Sequence, residues 1–218
     1  MQVQLPAVRW VRSLPSAMIH LAVARLADAA RKPLYFIGTL APDAMSYPEK
    51  ETAHLRYEPD RGAALAELAR LTDPGDDFAE GVLVHLYTDW KWDTTQLKRY
   101  REHDRRDAMW FKRYQHETKL ASAWIYRSEA WALALWEAMA AVPMEQYGSF
   151  AGITPQNITD YLLRNSSRLE ESKGGPPSAF YPPEMVGEFI SKTAKDYQAW
   201  RLQALGLLPP EGAPASGG

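Results

Sequence analysis

Cysteine is absent from this chain of 218 residues, and its absence excludes disulfides, thiolate metal sites and a cysteine nucleophile. Long apolar runs are also missing, since none approaches the about 20 residues of a membrane-spanning helix. Neither sign of charge dominates: the net charge is −2, with acidic and basic residues mixed throughout, so no surface for nucleic acid is indicated. Any metal ion must therefore be bound by histidine and carboxylate side chains.

Strand-like alternation is scarce as well, whereas apolar residues recur at helical spacing along most of the chain. The hydrophobic fraction of 46% and the charged fraction of 24% are typical of a globular protein. We expect an all-α fold in one metal-binding domain over residues 1–206, beginning with an arm at 1–12 and followed by a flexible tail at 207–218. No secretion signal is recognised at the N-terminus, so the expected location is the cytoplasm.

Breakers and caps divide the chain into segments. A short apolar run occupies 34–40, and 45–60 is polar and irregular. Helices are predicted over about 16–33, 60–71, 76–102, 108–141, 154–171 and 182–205.

The largely apolar segment 81–92 carries His85 and Asp89, four residues apart. At a spacing of four residues both lie on one face of a helix, roughly 6 Å apart at Cβ. A buried carboxylate without a partner is costly, so something must satisfy Asp89. Two interpretations remain open from this segment: a divalent metal site, or a histidine–aspartate hydrogen bond inside the core.

Three further motifs precede this pair. They are Ser16-Ala17-Met18-Ile19-His20, then Phe36-Ile37-Gly38-Thr39-Leu40-Ala41-Pro42-Asp43, then Lys50 followed by His54. The order His, Pro-Asp, His, His-x-x-x-Asp resembles the zinc-dependent phospholipase C family, and more closely its small bacterial branch, over roughly residues 13–140. The resemblance implies a multi-helix bundle of the phospholipase C and single-strand nuclease type.

The resemblance also implies a ligand set. Asp43, His54, His85 and Asp89 would bind one zinc ion, and His20 would bind a second ion that Asp89 bridges. The chain departs from the family in having Thr95 where a further histidine is expected and in lacking a later His-x-x-x-Glu. We therefore expect one zinc ion, or two with His20, and not three. Ligand softness alone leaves Zn²⁺, Mn²⁺ and Fe²⁺ open.

The chemistry implied is hydrolysis of a phosphodiester by metal-bound water, whose pKa falls to about 7. Asp43 is a candidate general base, and Glu117 a candidate acid or base with an equally good interpretation as a surface carboxylate. The candidate substrate-binding residues, each also explicable as surface charge or core filling, are Lys50, Arg56, Arg113 and Trp90.

The expected substrate is a small phosphodiester or a phospholipid headgroup, and no nucleic-acid partner is expected. Two alternatives remain: a phosphodiesterase like the single-strand nucleases, which the lack of a basic groove disfavours, and a non-catalytic helical protein whose metal is structural.

Overall fold

The computed structural model describes residues 16–103, 108–172 and 174–208. Within these ranges the chain is helical and contains no β-strand, which confirms the all-α prediction. The helices are α1 (Ala17–Ala27), α2 (Pro33–Leu40), α3 (Glu49–Ala53), α4 (Arg61–Leu71), α5 (Asp77–Thr94), α6 (Gln96–His103), α7 (Trp110–Ser128), α8 (Trp131–Ala140), α9 (Pro155–Ser172) and α10 (Pro183–Ala204), with 3₁₀ turns at Ala41–Ala44 and Met144–Gln146. The expected arm at 1–12 and most of the tail at 207–218 lie outside the described residues. None of the described helices is long and apolar enough to cross a bilayer.

Helix α5 lies in the interior, where α1, α2, α4, α6 and α10 pack against it. Its apolar side chains, among them Leu83, Leu86 and Trp92, are completely buried. The indole Nε1–H of Trp92 donates to the Tyr114 hydroxyl at 2.5 Å and so joins α5 to α7. The polar residues His85 and Asp89 in the middle of α5 are completely buried with these apolar side chains.

Helices α2 and α5 cross so closely that each needs a glycine at the crossing. A Cβ atom on Gly38 would lie 2.1 Å from the backbone oxygen of Phe78, and one on Gly81 would lie 1.9 Å from the backbone oxygen of Tyr35. Real Cβ atoms do not approach other atoms so closely, because the overlap is strongly repulsive. This contact brings the carbonyl end of α2 beside the middle of α5, where His85 lies.

Two long helices predicted from periodicity are each divided in the structure. The predicted helix over 76–102 ends at Thr94, where the Thr94 and Thr95 hydroxyls donate back to the Lys91 carbonyl at 3.2 and 2.6 Å. Such back-bonding competes with the helix ladder and favours a bend. The predicted helix over 108–141 breaks at Glu129, which is extended and accepts a hydrogen bond from the Trp131 indole at 2.8 Å. The apolar run at 34–40 is helix α2.

Candidate metal centre

His54 and His85 point their Nε2 atoms at each other. The Nδ1 atom of His85 lies 2.7 Å from the Thr39 carbonyl oxygen, and that of His54 lies 2.6 Å from the Lys50 carbonyl oxygen. A carbonyl only accepts, so each Nδ1 carries a hydrogen, and the Nε2 atom of each ring is the one left to face the centre. These two Nε2 atoms are 3.0 Å apart. Because both Nδ1–H groups are paired with carbonyls, the two facing Nε2 atoms can share a proton or bind a metal ion, so the geometry fits both interpretations of the sequence.

Two carboxylates complete the arrangement. Asp89 Oδ2 lies 3.4 Å from His54 Nε2 and 3.6 Å from His85 Nε2, while Asp43 Oδ1 lies 3.6 Å from His54 Nε2. Ligands about 2.0–2.1 Å from a tetrahedral ion are about 3.3 Å from one another. The ligand atoms of His54, His85 and Asp89 all lie within 4.8 Å of one another, as do those of His20, Asp43 and His85, so the centre contains two overlapping three-residue groups that could hold a metal ion.

His20 lies beside both Asp89 and His85. Its Nε2 atom is 3.3 Å from Asp89 Oδ1, and its ring stacks on that of His85 with centroids 4.0 Å apart and planes 13° from parallel. Within the described residues, neither ring nitrogen of His20 and neither oxygen of Asp89 makes a hydrogen bond. Since each carboxylate oxygen of Asp89 faces a different histidine, its geometry is that of a bridging ligand.

Local structure explains how separate segments reach one centre. In the 3₁₀ turn Ala41–Ala44, Pro42 ends α2 and the next residue, Asp43, turns inward. Helix α3 ends at His54, and Leu55 follows with a φ of 54°, a left-handed conformation uncommon for leucine. The Arg56 amide then donates to the Glu51 carbonyl at 3.0 Å, which closes the end of α3.

Burial and charge hold these groups in the protonation states that bind metal. His20, His54, His85 and Asp89 have no exposed surface, and Asp43 is 8% exposed. Burial lowers the pKa of His20 and of His54, although neighbouring carboxylates oppose this, so both rings are neutral at pH 7. Burial alone would raise the pKa of Asp43, but Lys50 and the histidines outweigh it and hold that pKa below the usual range. Burial would also raise the pKa of Asp89, but His85 and His20 lower it overall. Neutral imidazoles beside ionised carboxylates are the metal-binding forms.

Three cations surround the two carboxylates. Lys50 Nζ lies 2.7 Å from Asp43 Oδ1, and its side chain is 27% exposed. Arg56 and Arg61 each place an NH2 atom 3.9 Å from Asp89 Oδ2. The predicted residues Lys50 and Arg56 thus lie beside the centre.

Three residues at the centre were not predicted from the sequence. Arg61 is the first residue of α4, and its charge alone does not indicate from the sequence that it lies near a metal centre. Asp93 pairs with both arginines and follows Asp89 by four residues, a spacing that could have been recognised. The Tyr161 hydroxyl on α9 donates to Asp43 Oδ2 at 3.3 Å, and no local pattern links residues so distant in sequence.

The remaining predicted residues lie elsewhere. Glu117 accepts hydrogen bonds from Ser178 Oγ at 2.5 Å and from the Phe180 amide at 3.1 Å, so it anchors the loop before α10. Arg113 is exposed on α7. Trp90 packs over Gly62 at the start of α4, with Lys91 Nζ 4.4 Å from its ring centroid. No contact of Glu117 or Trp90 with the metal-binding side chains is seen within the described residues.

No family model matches the chain, and comparisons with curated proteins and with solved structures also find no match. The motifs of the sequence and the geometry of this centre are therefore what indicate a function.

Proposed function

We propose that this protein is a zinc-dependent hydrolase of phosphoric esters, built on a helical bundle of the phospholipase C type. The observation that carries the proposal is the 3.0 Å separation of the His54 and His85 Nε2 atoms, which face the centre because both Nδ1 atoms are paired with backbone carbonyls. The proposed substrate is a small phosphodiester or a phospholipid headgroup. The order of the motifs supports this reaction, since it resembles that of the phospholipase C family.

Asp43, His54, His85 and Asp89 would hold the ion, and His20 with Asp89 would hold a second one where two bind. Two imidazoles and two carboxylates are a common ligand set for zinc. A bound zinc ion would supply Lewis acidity toward a phosphoryl oxygen and would acidify water at neutral pH.

The side of the centre nearest to solvent is formed by Asp43 and Lys50. Asp43 Oδ1 faces His54 and Lys50, and Oδ2 accepts a hydrogen bond from Tyr161, so Oδ1 would be the oxygen to hold the metal and Oδ2 the one to hold a proton. The Lys50 ammonium is partly exposed, and it would orient an anionic phosphoryl group at this entrance. Tyr161 fixes the direction of the Asp43 carboxylate.

A structural metal site is the second candidate. The observation that favours it is the complete burial of His20, His54, His85 and Asp89, because catalytic metal sites keep a position open to water whereas structural sites are closed. The two candidates share the ligands and differ only in whether substrate reaches the ion.

The test combines elemental analysis of the purified protein with a screen of chromogenic phosphodiesters and phospholipids, before and after chelation. We expect at least one equivalent of zinc and a hydrolytic activity that chelation removes and zinc restores. Stoichiometric metal with no activity on any phosphoester would support the structural candidate. Absence of metal after reconstitution would overturn both.

A further inference from the structure

Two arginines, Arg56 and Arg61, converge on the side of Asp89 that also faces His54 and His85. We infer that this arginine pair and its two carboxylate partners, Asp93 and Glu51, form a charge-balancing network that sets how tightly the centre binds its metal. The inference rests on the metal site of the proposed function but not on the reaction. It assigns these residues a role in positioning and charge, without direct contact with the ion.

The network is built from short contacts behind Asp89. Arg61 NH1 lies 2.8 Å from Asp93 Oδ2, and Arg56 NH2 lies 3.5 Å from the same oxygen. Arg56 NH1 lies 3.0 Å from Glu51 Oε1. The exposed fractions of the side chains are 2% for Arg56, 13% for Arg61 and 9% for Asp93, so water screens these charges only weakly.

The fold alone gives little reason to bury these charges. Replacing a buried ion pair by apolar residues is often neutral or stabilising, because desolvation of the charges offsets their attraction. Hydrogen bonding here is also incomplete: within the described residues, Arg61 NH2 and Asp93 Oδ1 are buried without a hydrogen-bond partner. The Arg61 NH2 group instead faces Asp89 Oδ2 at 3.9 Å. The arrangement is thus directed at the metal-binding carboxylate.

The sign of each charge determines its effect. Without metal, the arginine pair compensates the negative charge of the Asp89 carboxylate. With metal, the same guanidinium groups repel the ion through a weakly screened interior. The carboxylates of Asp93 and Glu51 offset this repulsion, because the network contains two cations and two anions and is formally neutral. Removing one charge therefore shifts metal affinity in a direction set by that charge.

The experiment measures zinc affinity of the full chain by competition with a chromogenic chelator, together with thermal stability of the metal-free protein. Asp93→Asn should weaken zinc binding about tenfold or more, the usual range for changes around a metal ligand. Arg61→Gln should tighten zinc binding by a similar factor. Arg61→Lys retains the charge and should leave the affinity near that of wild type.

The exposed pair Glu67 and Arg70 on α4 provides matched controls, since Glu67→Gln and Arg70→Gln make the same charge changes at a solvated position. Neither control should change zinc affinity measurably at physiological salt. If Asp93→Asn does not fold, Glu51→Gln carries the same expected weakening. If neither carboxylate variant folds, the direction in which Arg61→Gln changes the zinc affinity tests the inference by itself.

A merely structural network gives a different result, because either substitution would loosen the centre. If Arg61→Gln weakens zinc binding or leaves it unchanged, the inference is wrong, even where Asp93→Asn also weakens binding. If wild type itself binds no zinc, the proposed function fails before the network is in question. The two failures are therefore distinguishable.

Discussion

The Nε2 atoms of His54 and His85 lie 3.0 Å apart, although both rings have already donated their Nδ1–H groups to backbone carbonyls. The Thr39 carbonyl of α2 holds the His85 ring and the Lys50 carbonyl of α3 holds the His54 ring, so neither ring is oriented by the other alone. The two Nε2 atoms are thus brought together by contacts made on the opposite side of each ring. A proton or a metal ion can join them there.

His85→Asn should remove the metal and leave the fold intact. The asparagine amide occupies the place of Nδ1 and still donates to the Thr39 carbonyl, but nothing replaces Nε2. Zinc affinity should fall by more than the about 10- to 100-fold typical of changes outside the ligand shell. Chelator competition measures the loss, and circular dichroism of the metal-free protein checks the fold.

His116→Asn is the matched control for this experiment, because His116 is exposed on α7 and should not affect binding. Full zinc affinity in His85→Asn would contradict the ligand assignment.

Gly81→Ala should destabilise the protein by about 1–3 kcal/mol, since its new methyl group would meet the Tyr35 carbonyl oxygen at 1.9 Å and force α2 away from α5. The displacement should also weaken zinc binding, because the His85 ring is oriented by the Thr39 carbonyl of α2. Urea unfolding of the metal-free protein measures the first effect, and chelator competition the second.

Gly187→Ala provides the opposite control. Gly187 lies inside α10 with no other atom within 4 Å of the position of its Cβ, so alanine should stabilise the helix by about 0.5–1 kcal/mol. If both substitutions had the same effect, the close crossing of α2 and α5 would not be the cause.

The sequence indicated part of this centre because some of its signals are local. His85 and Asp89 share a helix face by spacing alone, and the Pro-Asp turn at Asp43 is visible as a break. The position of Tyr161 is not predictable in this way, since it depends on how α9 packs over the 3₁₀ turn at Ala41–Ala44. Long-range packing is not encoded in the periodicity of either segment.

The same limit explains the divided helices and the residues placed elsewhere. Periodicity continues across Thr95 and Glu129, while the breaks arise from side-chain hydrogen bonds to the backbone or to a nearby indole. Glu117 has the type of side chain expected of an acid or base, but the packing of the loop before α10 directs it to Ser178 and Phe180. The residue type of Glu117 suggested acid or base chemistry, whereas its tertiary contacts determine where the side chain lies.

The metal-free protein should lose stability as the pH falls below about 6.5, the ordinary pKa of histidine. The pKa values of His20 and His54 are lowered in the folded state, so the unfolded chain binds more protons in this range and is favoured by acid. For each additional proton that the unfolded chain binds relative to the folded chain, the free energy of unfolding changes by about 1.4 kcal/mol per pH unit. A second decline should begin below the ordinary carboxyl pKa of 3.8, because the pKa values of Asp43 and Asp89 are also lowered.

Urea unfolding in chelator between pH 8 and pH 5 measures the first decline. His20→Asn should flatten the dependence, whereas His103→Asn, at an exposed position of α6, should retain it. A wild-type free energy of unfolding that stays constant between pH 7 and pH 5 would show that these histidines are not neutral in the folded state.

Asp43→Asn separates a catalytic centre from a structural one. The amide carbonyl still accepts from Tyr161, and Lys50 can turn to solvent because it is partly exposed, so the helical fold should persist. If Asp43 binds metal and holds a proton, hydrolysis of a phosphodiester should fall by about 10²–10⁴-fold. Asp196→Asn is the control, since it breaks another 2.7 Å lysine–aspartate pair, at an exposed position.

The melting temperature distinguishes a catalytic centre from a structural one, which a loss of activity alone does not do. In a catalytic centre, chelation should lower the melting temperature of wild type only modestly, because the core packed around α5 persists without metal. The Asp43→Asn variant should then have a melting temperature close to that of chelated wild type. In a structural centre, metal-binding free energy is folding free energy, so chelation and Asp43→Asn should each lower the melting temperature substantially. A wild type that melts far lower after chelation and hydrolyses no phosphoester would establish the structural role, whereas a stable and inactive Asp43→Asn beside an active wild type would establish catalysis.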